Sequence, residues 1–154
     1  MRIVLTAVGR PKDRALDDRV ADYGRRIGRF GVNWATTEVR EVAAGRRYSD
    51  DHVREREARA LLDALPGRGT VVALDRTGRA LSSAQLADRI ERWASPTLSL
   101  VIGGPLGLHA TVLDAADERW SLSPLTLPHE LARLVVAEQV YRALTIARNV
   151  PYHK

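Results

Sequence analysis

Among the polar side chains that interrupt the apolar run between Pro128 and Asn149 are His129, Arg133, Glu138 and Arg142. His129 and Arg133 are four residues apart, as are Glu138 and Arg142, so on a helix each pair shares a face. A histidine can take or give a proton near neutral pH. An arginine can steady an anion, and a glutamate can aim that arginine. The chain then closes on "NVPYHK", with Tyr152, His153 and Lys154 in its last three positions. Termini are usually frayed and polar, so an aromatic ring and an imidazole there call for an explanation. On spacing alone the plainer readings are favoured. Glu138 and Arg142 fit a surface ion pair worth a few tenths of a kcal/mol, and His129 fits a satisfied first-turn histidine. Four histidines with no cysteine and no clustered carboxylates give no convincing metal site.

Three further stretches carry ligand-binding potential: "ALD" (73–75), "IGGPLG" (102–107) and "LSPLTLP" (122–128). Each follows an apolar, strand-like run, and open α/β sheets bind ligands at the carboxyl ends of their strands. Pro105 breaks any dinucleotide fingerprint in "IGGPLG", yet glycines there let a ligand approach the backbone. "LSPLTLP" is extended, hydroxyl-bearing and largely apolar. Its backbone can meet a purine edge while its leucines sandwich the ring. It also fits a helix entry, with Thr126 as the cap and Pro128 in the first turn.

The elements that must position these groups follow from periodicity. "RIVLTAV" (2–8) reads as a buried strand, Asp13 to about Ile27 as an amphipathic helix, and 32–41 as a second strand. A loop and a charged helix capped near Ser49 lead to Pro66-Gly67. Then come a strand (70–75), a turn ("RTGRALS"), and a helix through Trp93 with Ser82 and Gln85 as its capping box. A strand (97–104), a short helix (about 109–117), a short strand with a loop (119–128) and a long last helix complete the chain. Strands alternating with helices predict an α/β fold with a mostly parallel sheet and helices on both faces. No repeat or linker divides the 154 residues, so a single domain over 1–154 is expected.

Composition bounds the rest. Apolar content of 45% and charged content of 28% are ordinary for a soluble protein. The absence of cysteine rules out disulfides and suits a reducing compartment. No run approaches a membrane span and the N-terminus lacks a signal-peptide pattern, so no membrane partner and a cytoplasmic location are expected. The net charge is +5, and all but two of the 24 basic residues are arginine. That excess fits a polyanionic partner and fits an arginine-favouring composition equally well.

The ordered motifs "IGG-x-x-G", "SLS-x-x-T-x-PH-x-x-x-R", "E-Q-x-YRA" and terminal "PYHK", with "LTAVGR" near the start, closely resemble the ribosomal RNA large subunit methyltransferase H family. These are small SPOUT-class enzymes that methylate N3 of a pseudouridine in 23S ribosomal RNA. The resemblance spans nearly the whole chain. It implies an α/β domain with a C-terminal trefoil knot, S-adenosyl-L-methionine as cofactor, a homodimer, and ribosomal RNA or the ribosome as partner. By motif, the cofactor contacts fall on Leu74, Gly103, Leu122, Ser123, Pro124, Leu125, Thr126 and Leu127. The catalytic candidates are Arg142, Tyr152, His153, Glu138 and His129. His153, His129 and Glu138 are the open alternatives for accepting the N3 proton. The tail would close a cofactor pocket, its own or its dimer partner's, with Tyr152 stacking on the base and Lys154 or the nearby arginines holding phosphate. A SPOUT enzyme acting on another RNA such as tRNA, and a non-catalytic ribosome-associated RNA-binding protein, are the rival readings.

Overall fold

A computed structural model of the protein describes residues 1–43, 45 and 48–153. The expected phosphate contact of Lys154 therefore lies outside the described residues. Ten elements alternate along the chain: β1 (Arg2–Val8), α1 (Arg14–Gly28), β2 (Asn33–Val39), α2 (Asp50–Asp63), β3 (Thr70–Ala80), α3 (Ser83–Trp93), β4 (Thr97–Ile102), α4 (Ala110–Ala115), β5 (Glu118–Ser121) and α5 (His129–Ala147). The strands form one sheet in the order β2-β1-β4-β3-β5, and every pairing is parallel.

Parallel strands must be joined by crossovers, which cover both faces with helices and make the strands apolar on both sides. One core holds Ile3, Leu5, Leu98, Leu100 and Ile102 beneath residues of α1, α3 and α5, such as Ile27, Ile90, Val136 and Val140. The other holds Val8, Val39, Ala73 and Val101 beneath Ala58 and Leu61 of α2 and Val112 of α4. Local signals match the elements: Asp13 and Ser49 cap α1 and α2, and Ser82 with Gln85 forms a complete capping box on α3.

Two expectations fail here. "RTGRA" is not a turn that ends a strand at residue 75, since β3 runs on to Ala80. Its register against β5 shifts between Leu74 and Arg79, so Asp75 to Gly78 bulge out and pairing then resumes. Turn-forming residues thus mark a bulge inside a strand rather than its end. Nor does Thr126 cap α5, because Pro128 holds the N-cap position with no side-chain bond. Val136 and Leu144 of α5 are fully buried in the chain's own core.

Two positions carry measurable consequences. Gly24 of α1 sits so close to β2 that a Cβ there would lie 2.5 Å from the Trp34 ring, whereas a Cβ on Gly28 would meet nothing within 4 Å. Glycine to alanine normally stabilises a helix by about 1 kcal/mol. Gly28→Ala should therefore raise the melting temperature and Gly24→Ala should lower it. Glu57 of α2 is 3% exposed and accepts the Val42 N–H at 3.0 Å. Burial pushes its pKa up from 4.5; the Val42 bond opposes this and nearby Glu41 adds to it. The folded state therefore holds this proton more tightly than the unfolded chain, and stability is lost as pH rises from 4.5 through the folded value. Glu57→Gln keeps the bond to Val42 and removes the charge. It should stabilise the protein at pH 7 by chemical denaturation, with the gain vanishing toward pH 4.

Candidate active site

The bulge of β3 after Leu74 and the carboxyl ends of β4 and β5 converge on one cleft of about 880 Å³. Each end is shaped by its own local bonding. After Leu74, the Thr77 N–H donates to Asp75 Oδ1 at 2.9 Å and closes a tight turn. After Ile102, the Gly107 N–H donates to Gly104 O at 2.9 Å. A Cβ on Gly103 would lie 2.7 Å from the Gly107 carbonyl carbon, so no other residue lets this turn fold back on itself. After Ser121, the Leu125 N–H donates to Ser123 Oγ at 3.0 Å and Ser121 Oγ donates to Ser123 O at 3.2 Å. Thr126 and Leu127 are left with backbone N–H groups that donate to no described residue. Unpaired backbone donors beside a cleft are groups for a ligand to satisfy.

Of the cofactor contacts expected from sequence, Leu74, Gly103, Leu122, Ser123, Leu125, Thr126 and Leu127 line this cleft together. Pro124 belongs to the same loop but is exposed and outside the lining. Leu125 stands 74% exposed at the rim. His129, the first residue of α5, also lines the cleft, and its Nε2 is buried without a partner. Trp120, Leu108 and Arg54 line it too and were not foreseen. Trp120 reads in sequence as an ordinary core residue, and Arg54 as one of many charges on α2.

The remaining catalytic candidates gather elsewhere. Arg142 donates to Glu138 Oε1 from Nε at 3.0 Å and from Nη2 at 2.6 Å. The Tyr152 hydroxyl donates to the same oxygen at 3.1 Å, and Gln139 donates to Glu138 Oε2 at 2.7 Å. His153 Nδ1 lies 3.3 Å from Arg142 Nη1. The Arg142 guanidinium also sits 4.8 Å from the Tyr152 ring centre, a cation–π distance, and Tyr141 meets that ring edge-on at 4.7 Å. The hydrogen bond to Glu138 raises the Arg142 pKa. Burial first, then the Tyr23 and Glu138 hydrogen bonds, push the Tyr152 phenol up, so it stays protonated across the physiological range. The tail is therefore a bonded part of the fold.

This cluster is not at the chain's own cleft. Glu138 lies nine residues along α5 from His129, about 13 Å at the helical rise. The tail packs on α1 and α5, where Arg19, Tyr23, Leu131, Leu134, Val135 and Glu138 border a groove of about 460 Å³. Among the described residues no group of three or more histidine and acidic side chains is arranged to hold a metal ion. No helix is long and apolar enough to cross a membrane.

Known proteins are similar to this chain along its length. Residues 1–153 match a family model described as Predicted SPOUT methyltransferase. The chain is 45% identical over 158 residues to "Ribosomal RNA large subunit methyltransferase H" of Gemmatimonas aurantiaca, covering all of both chains. It is 43% identical over 156 residues to the protein of that name from Anaeromyxobacter sp., again covering all of both chains. It is 43% identical over 159 residues to that of Xanthomonas oryzae pv. oryzae, covering 100% of this chain and 99% of the relative. A probable methylase family protein from Haemophilus influenzae Rd KW20 superposes with a TM-score of 0.52 at 12% identity, over 99% of this chain and 70% of that one, and so speaks for the fold alone. A match that runs unbroken through the glycine turn, the proline loop and the last helix shows that this chain belongs to the SPOUT methyltransferase family.

Proposed function

We propose that this protein methylates N3 of a pseudouridine in large-subunit ribosomal RNA, with S-adenosyl-L-methionine as the methyl donor and the cytoplasm as its location. One observation carries the reading: three strand ends bearing the family's motifs converge on a single cleft, and full-length relatives at 43–45% identity are named for that class of reaction. The cleft suits a nucleoside-bearing sulfonium. Leu74, Leu122, Leu127 and Trp120 offer apolar surface, and Thr126 and Leu127 offer free N–H groups to the edge of a purine. Gly103 keeps the floor free of a side chain. Bound there, S-adenosyl-L-methionine would supply an electrophilic methyl group.

The chain's part in the transfer is mainly geometric. A sulfonium loses its charge as the methyl leaves, so orientation dominates, and orientation alone can supply ~7–11 kcal/mol. The target base must give up its N3 proton. Glu138 is committed to Arg142, Tyr152 and Gln139, so it acts as a positioning residue. Arg142, held by Glu138, steadies the anionic base. Tyr152 remains protonated and stacks on the base. His129 and His153 are left as the groups for the proton.

A tail cluster two and a half helical turns from the cleft completes a site only if a second copy supplies it. We therefore read the protein as a homodimer in which each cleft receives its partner's tail, with the groove along Leu131, Leu134 and Val135 as part of the contact. The rest of the resemblance, including the trefoil knot, belongs to this reading.

A mixing experiment tests it. Thr126→Trp fills the pocket and should abolish cofactor binding measured by calorimetry while the fold survives. Deleting residues 152–154 should leave cofactor binding largely intact and abolish methyl transfer. Mixed and re-associated in equal amounts, the two inactive proteins should regain about a quarter of wild-type sites, because half the dimers carry one intact pocket facing one intact tail. No recovery, with both variants folded and dimeric, would assign the tail to its own cleft. Unchanged cofactor affinity in Thr126→Trp would move the pocket elsewhere. Between the histidines, the one whose alanine variant loses the acidic limb of the pH profile handles the proton.

A further inference from the structure

The loop after β1 is held with more care than a surface connection requires. Gly9 adopts φ +79°, and its N–H donates to Val39 O at 2.8 Å. Arg133, 5% exposed, donates to Val8 O at 3.0 Å and to Gly9 O. Glu130 Oε1 accepts the N–H groups of Lys12 at 2.5 Å and Asp13 at 2.9 Å. Two residues of the first turn of α5 thus clamp the loop, and two others in that turn, His129 and Ala132, line the cofactor cleft.

What the clamp presents is positive charge. Arg10 and Lys12 are exposed and form no ion pair with any described residue, whereas eight other arginines do. Arg40 directly follows Val39, the register partner of Val8, so it stands beside the same loop. Arg40 and Arg56 line one further depression and are likewise outside any ion pair among the described residues. The acids of this edge are already engaged. Glu130 holds two backbone N–H groups, Asp13 caps α1, Glu38 lies 3.8 Å from Arg133, and Glu57 accepts from Val42. Glu41 is the exception: it lines the depression with Arg40 and Arg56, and its carboxylate oxygen lies 3.3 Å from where a Cβ would stand on Gly9.

We propose that the clamped loop bearing Arg10 and Lys12, continued by Arg40 and Arg56, is the edge that grips the phosphate backbone of the RNA substrate next to the cofactor cleft. Exposed cations on a rigid backbone bind a polyanion without the ordering cost that loose side chains on a mobile loop carry. Phosphate contacts set the position and orientation of a nucleic acid without reading its sequence. Here that position would bring a target base to the cleft. The inference rests on the ribosomal RNA reading above.

The test compares Arg10→Gln/Lys12→Gln with Arg2→Gln/Arg68→Gln, a pair of exposed arginines outside any ion pair among the described residues, at the opposite, amino-terminal edge of the sheet. The probes are ribosomes from cells lacking the enzyme and, separately, protein-free large-subunit ribosomal RNA. For the loop variant, affinity for both probes should fall several-fold, and the slope of log K against log salt should flatten by about 1.5 for two lost phosphate contacts. Cofactor affinity should be unchanged. Glu41→Gln should bind RNA more tightly than wild type, and the control pair should behave as wild type. Wild-type affinity and salt slope in the loop variant, or an equal loss in the control pair, would overturn the inference. So would a loss seen with ribosomes but not with protein-free RNA, which would assign the loop to a ribosomal protein. Failure of the wild-type protein itself to bind or methylate either probe would instead overturn the ribosomal RNA reading, and this inference with it.

Discussion

The buried guanidinium of Arg133 fixes the working parts of this protein relative to one another. A charge out of water costs several kcal/mol unless its donors are met, and here burial pulls the Arg133 pKa down against the pull of Glu38, Glu130 and Asp17. Its Nη2 donates to the carbonyls of Val8 and Gly9, where β1 ends, and its Nη1 lies 3.8 Å from Glu38, while Nε is buried without a partner among the described residues. β1 lies between β2 and β4, in the middle of the sheet. One side chain therefore ties the start of α5 to the carboxyl end of a central strand. Shifting α5 by even one residue would strand both the guanidinium and the carbonyls. The cleft wall and the β1–α1 loop inherit their positions from that tie.

Once its first turn is fixed, α5 acts as a ruler. Its 19 residues span about 28 Å. The beginning belongs to the cleft, and Glu138 and Arg142 stand at its midpoint and one turn beyond. Ala132, Val136, Val140 and Leu144 face the sheet and are buried, while Leu131, Leu134 and Val135 stay partly open on another side. That second apolar side is why the helix lacks the single stripe of an ordinary surface helix. The tail then folds back through Tyr152 onto Tyr23, Tyr141 and Glu138. A rigid helix thus keeps the cleft at its start and the polar cluster around Glu138 about 13 Å apart along its axis.

Much of this was legible in the sequence, for physical reasons. Buried parallel strands are written as short unbroken apolar runs, and caps are written as single polar residues, so element order and the Ser82–Gln85 box could be read directly. The three strand ends could be read because glycine and proline leave the backbone available at fixed places. What escaped were features that depend on tertiary partners. "RTGRA" has turn chemistry, and only pairing with β5 draws it back into β3. Thr126 has capping chemistry, but its loop is bent by Ser121 and Ser123 instead. Arg133 and Glu57 look like surface charges until the fold encloses them. The apolar residues of α5 divide between the chain's own core and an open groove, and periodicity cannot say which is which.

The charge states around the tail narrow what the site can do. Arg142 has its pKa raised by the bond to Glu138, and Tyr152 has its phenol pushed up by burial and by the same carboxylate. Both keep their protons throughout the physiological range, so neither exchanges one during turnover. The cluster is a fixed arrangement of donors around one carboxylate. One histidine, His129, sits at the cleft with an unpartnered nitrogen, and the other, His153, sits against Arg142. His129 opens α5, whereas His153 lies beyond its end and folds back to Arg142.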